Sequence, residues 1–106
     1  MPLELHAGDG EGAGRKPPLL VLEKGVHGEL FAGLRGMAGA FSLPTRLADY
    51  YADAYCRSQE LAALAAECAG AAPRFKTTGV RDALARLGEI ADELAGRGQK
   101  LYAFAD

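Results

Sequence analysis

At the amino-terminal end, apolar and polar positions alternate through Leu3-Glu4-Leu5-His6, the period of a strand with one buried face. The alternation stops at Gly8-Asp9-Gly10-Glu11-Gly12-Ala13-Gly14, which with Arg15 and Lys16 predicts a flexible glycine-rich loop over 8–16. Pro17 and Pro18 stiffen its exit into Leu19-Leu20-Val21-Leu22, a continuous apolar run of strand length. Residues 2 to 23 therefore predict two antiparallel strands joined by a long loop.

From Val26 the period changes. Val26, Leu30, Leu34, Met37 and Phe41 fall in one stripe at about 100° per residue, which predicts an amphipathic helix. Gly28, Gly33, Gly36 and Gly39 interrupt it, and each would cost ~1 kcal/mol relative to Ala in a helix interior. Ala32, Gly36, Gly39 and Ala40 share one flank, a pattern that suits close approach of another backbone. It suits equally a frayed helix from a GC-rich genome, since the chain has no Asn and Ile90 is its only isoleucine.

Ser42-Leu43-Pro44-Thr45 supplies a break, with Ser42 or Thr45 as N-cap of a kinked or two-piece helix over residues 45 to 69. On its wheel Leu47, Tyr50, Tyr51, Ala54, Leu61, Ala65 and Cys68 gather on one side, and Asp49, Asp53, Glu60 and Glu67 on the other, with Tyr55 at the border. Ser58-Gln59-Glu60 resembles a second start signal, which places the kink near Arg57. Gly70 and Pro73 end the segment. Thr77 or Thr78 caps the next helix, whose stripe is Val80, Leu84, Leu87, Ile90, Ala91 and Leu94 and which closes at Gly96 and Gly98. Lys100-Leu101-Tyr102-Ala103-Phe104-Ala105 predicts a last strand, apolar on both faces and suited to the middle of a sheet. The order is β-β-α-α-α-β. It implies an α+β fold with a small antiparallel sheet of about three strands, two N-terminal and one C-terminal, covered on one face by three helices.

At 106 residues the chain is long enough for one core and too short for two, so residues 1 to 106 are expected to form a single domain. The formal charge of −2, from 12 basic and 14 acidic residues, argues against a nucleic-acid binder, which needs an excess of Lys and Arg on one face. No run approaches the ~20 apolar residues of a membrane span, and Met1-Pro2-Leu3-Glu4 does not open a signal peptide, so a cytoplasmic protein without a membrane partner is expected. If Cys56 and Cys68 shared one helix they would lie ~18 Å apart, too far to bridge. They read as buried thiols in a reducing compartment.

Candidate chemistry is sparse. His6, His27, Cys56 and Cys68 show no metal-ligand spacing, which predicts exposed histidines, core cysteines and neither metal nor cofactor. Neither Ser42 nor Ser58 has a nucleophile signature, and the glycine loop leads into a strand where a phosphate loop would open a helix. Asp49 and Asp53, one helical turn apart, read as polar surface in preference to an acid–base pair, so no catalytic residue is assigned. The acidic stripe of Asp49, Asp53, Glu60 and Glu67, edged by Tyr55, suits a basic protein partner, because tyrosine is enriched at hot spots and complementary charge speeds encounter. The leading expectation is a small acidic protein-binding module, an inhibitor or immunity-type antagonist of a basic partner. A homodimer through the glycine-rich first helix is also compatible. The alternative is a small-molecule or phosphate-binding domain, an enzyme included, built on Arg74, Lys76, Thr77, Thr78 and Arg81 at a helix start. The same five residues also suit an N-cap with solvated basic neighbours and Phe75 packed beneath as a staple.

Overall fold

The computed structural model describes residues 3–8, 19–37, 41–47 and 54–105. Four strands form one antiparallel sheet: β1 (Leu3–Gly8), β2 (Leu20–Leu22), β3 (Ala54–Cys56) and β4 (Lys100–Ala105), in the order β2-β1-β4-β3. The central pair is the longest, with Leu3 opposite Ala105 and Gly8 opposite Lys100. β2 flanks it through Leu3↔Leu22 and Leu5↔Leu20, and β3 through Tyr55↔Tyr102 and Cys56↔Leu101. Period-two alternation then decides which side chains turn inward. Leu3, Leu5, Leu22, Cys56, Leu101 and Ala103 are buried on one face.

Helices cover that face. In α1 (Lys24–Arg35) the inward positions are His27, Leu30 and Leu34, an i, i+3, i+7 set. α2 (Ser42–Leu47) is short and buries Leu43, Pro44 and Leu47; Pro44 is tolerated because the first turn of a helix leaves its N–H groups unbonded in any case. α3 (Leu61–Ala71) turns Leu61, Leu64, Cys68 and Ala71 inward. α4 (Thr78–Arg97) buries Val80, Ala83, Leu84, Leu87, Ile90, Ala91 and Leu94 against the rest. α3 and α4 approach closely at Gly88, where a Cβ would sit 3.7 Å from the Ala65 carbonyl oxygen and 3.7 Å from Cys68 Cβ. α4 stops at Gly98, which has φ 66°. The Gln99 N–H reaches the Leu94 carbonyl at 3.1 Å and the Gly98 N–H reaches Ala95 at 3.3 Å, a Schellman closure that satisfies two end carbonyls.

The α+β class, the antiparallel sheet, the hairpin of β1 with β2 and the central place of the last strand all match the expectation from sequence. The segment from 45 to 69 does not. It is α2, then β3, a 3-10 turn at Ser58–Glu60, and α3, so the element order gains a fourth strand and a fourth helix. The helical wheel merged two periods: Tyr55 points out and Cys56 in, as strand neighbours do, while Leu61, Leu64 and Cys68 follow a helix. The first helix also ends earlier than predicted, at Arg35, although Met37 and Phe41 still pack against the core. Within it, Gly33 accommodates the Phe75 ring, and among the described residues a Cβ at Gly36 would meet only the Gly33 and Ala32 carbonyl oxygens of its own helix. Both histidines are buried, against expectation, His27 because it shares the inward stripe with Leu30 and Leu34. Asp49, Tyr50, Tyr51 and Asp53, Gly39 and Ala40, and the predicted loop beyond Gly8 lie outside the described residues.

Candidate protein-binding surface

The sheet face turned away from the helices carries the other half of the alternation. Because Tyr102 pairs with His6 on one side and Tyr55 on the other, these three form one row across β1, β4 and β3. The Tyr55 and Tyr102 rings stack with centroids 5.5 Å apart and planes at 28°. Lys100, two residues before Tyr102 and so on the same face, places its ammonium 5.8 Å from the Tyr55 centroid. On β1, His6 Nε2 lies 3.1 Å from Glu4 Oε1, two positions away on the same face. Exposure rises along the row, from His6 at 2% to Tyr55 at 47%, so the open end of the row is the β3 edge.

Among the described residues, Tyr55 is the one member of the predicted acidic surface found on this edge. Glu60 and Glu67 are not its companions, because no continuous helix joins them to it. Glu60 turns back on its own 3-10 turn, accepting the Arg57 N–H at 3.0 Å, with Arg57 Nε at 3.6 Å. Glu67 accepts the Leu43 N–H at 3.2 Å and so holds the start of α2 against α3. Both carboxylates are half-buried and engaged inside the fold. Asp49 and Asp53 lie outside the described residues.

The basic cluster does assemble around the start of α4, where Arg74, Lys76, Thr77, Thr78 and Arg81 are all exposed. Two of its members are committed elsewhere. The Arg74 guanidinium stands over the Phe41 ring at 5.5 Å. The Thr77 hydroxyl donates to Glu29 Oε1 of α1. Glu29 therefore brings an internal carboxylate to the helix start that an anionic ligand would otherwise seek, a residue the sequence pattern did not single out.

Nucleophilic chemistry finds no support at the cysteines. Burial pushes the Cys68 thiol up to about 12, with Glu67 and then Cys56 adding to the effect, so it stays protonated at neutral pH. Among the described residues no three His, Cys, Asp or Glu side chains form a group that could hold a metal ion, and no helix is long and apolar enough to cross a membrane. Tyr102, Lys100 and the Glu4–His6 pair escaped the sequence reading because their signal is the register between the first and last strands. Comparison of the chain with protein-family models, with curated proteins and with solved structures finds no match in any of the three.

Proposed function

We propose that the chain is a small protein-binding module, an inhibitor or antagonist of a basic partner, and that it engages that partner through the β3 edge around Tyr55. The observation that carries this reading is an aromatic ring 47% exposed on an edge strand and held in place by stacking on Tyr102. A ring already fixed loses little freedom on binding, and large rigid aromatics account for much of the energy at protein interfaces. The preference for a basic partner rests on the net charge of −2 acting at long range, and it stands against the local positive charge of Lys100 beside the ring.

Affinity capture from the native host, with the wild-type chain and Tyr55→Ala side by side and mass-spectrometric readout, tests the reading. A basic protein retained by the wild type and lost by Tyr55→Ala, with the variant's melting temperature within a few degrees, supports it. Equal retention by both chains rejects the site.

A further inference from the structure

A second surface lies at the opposite edge of the sheet. Among the described residues β2 pairs only with β1, and Leu19 and Val21 on or beside it are 42% and 46% exposed. Between β2 and the first turns of α1 and α4 runs an open groove of about 300 Å³. Leu20, Val26 and Ala83 make its apolar walls, and the charged side chains lining it are Glu23 and Asp82, both acidic and both exposed. Lys24 and Arg81, their chain neighbours, do not line it. Gly79 keeps the groove open: a Cβ there would already touch Val26 Cγ2 at 3.5 Å, and any longer side chain would extend into the space.

We propose that this groove binds an extended basic peptide segment, laid alongside β2, which places a small apolar side chain between Leu20, Val26 and Ala83 and a Lys or Arg between Glu23 and Asp82. Three independent features converge on that occupant. The outer edge of β2, without a partner strand among the described residues, offers backbone hydrogen bonds to a chain in extended conformation. Positions i and i+2 of such a chain lie ~6.6 Å apart on one face, so adjacent inward side chains can take the apolar wall and the acidic rim in turn. The volume is at the small end of the range for ligand sites, enough for one or two side chains. The inference is independent of the role of Tyr55, which stands on the far side of the sheet.

The probe is a fluorescein-labelled heptapeptide with valine, arginine and valine at alternate positions and threonine between them, compared by anisotropy with the same peptide carrying glutamate for arginine. The wild-type chain is expected to bind the arginine peptide at least tenfold more tightly than the glutamate peptide. The double variant Glu23→Lys with Asp82→Lys should reverse that preference, Gly79→Leu should abolish binding while α4 remains folded by circular dichroism, and Tyr55→Ala should bind as the wild type does. Equal binding of the two peptides, absence of binding at millimolar peptide, or a preference unmoved by charge reversal would overturn the proposal. So would sedimentation showing a dimer that Gly79→Leu dissolves, since the groove would then belong to a second copy of the chain.

Discussion

The Phe75 ring lies against α1 where Gly33 has no side chain: a Cβ built on Gly33 would fall 2.3 Å from Phe75 Cε1 and 2.7 Å from Cζ. A helix-interior glycine that costs about 1 kcal/mol in propensity is thus retained where a buried ring needs the room. Gly33→Ala regains that propensity but must displace the ring, and overpacking of this kind costs about 1–3 kcal/mol. We expect a net loss of up to about 2 kcal/mol in urea denaturation. Phe75→Leu, which shortens the obstructing group, should make the added Gly33→Ala change neutral or stabilising. Additive losses in the double variant would refute the contact.

Glu67 is expected to act on stability and not on partner association. Glu67→Ala leaves the Leu43 N–H without its acceptor and should cost about 1 kcal/mol, whereas Glu67→Gln, which keeps an acceptor oxygen, should cost less. Partner association rates of both variants should equal the wild type's. A slowed rate with unchanged stability would restore Glu67 to the binding surface.

Cys68 gives stability a pH dependence of known sign. Its thiol ionises at about 12 in the folded chain against the usual 9.0, so the unfolded chain loses this proton first. The stabilisation is complete below pH 9.0 and is lost as pH rises from there toward about 12, with a slope of at most ~1.4 kcal/mol per pH unit. The difference between wild type and Cys68→Ala in denaturant titrations should shrink across that window. A difference that stays level between pH 8 and pH 11 would contradict the burial. At pH 8 iodoacetamide should alkylate Cys68 only as fast as the chain unfolds.

Gly98 ends α4 at φ 66°, where any residue with a Cβ is strained. Gly98→Ala should cost about 1 kcal/mol and Gly98→Asn less, since asparagine tolerates this region better. Equal melting temperatures for the wild type and Gly98→Ala would mean the left-handed closure is absent in solution.

Legibility from sequence followed the length of each pattern. α4 repeats its apolar stripe over five turns and is closed by a glycine, so its stripe and terminus read correctly, while Thr77 stands at the N-cap position but gives its hydroxyl to Glu29 and makes no cap bond. β1 and β4 carry strand signals strong enough to place them, though not to reveal that His6, Tyr102 and Tyr55 share a row, which depends on pairing between residues nearly a hundred positions apart. The middle of the chain misled for a different reason. β3 is three residues long, too short for its alternation to register, and a helical wheel absorbs its inward Cys56 without conflict. The acidic stripe rested on that wheel, and of its described members Glu60 closes its own 3-10 turn while Glu67 accepts from the start of α2. The buried His27 was legible in principle, since it stands three and seven residues before Leu30 and Leu34.

The pairing of β1 with β4 also orders events during synthesis. On the ribosome, α1, α2, α3 and α4 are all made before the strand that completes the middle of the sheet, so the nascent chain carries β1 without its principal partner almost to residue 105. Contacts this distant along the chain form slowly, while the adjacent α3 and α4 can pair at once. A stalled or truncated translation product lacking only the final six described residues would hold a helical hairpin beside two unjoined edges, a species suited to chaperone capture and degradation.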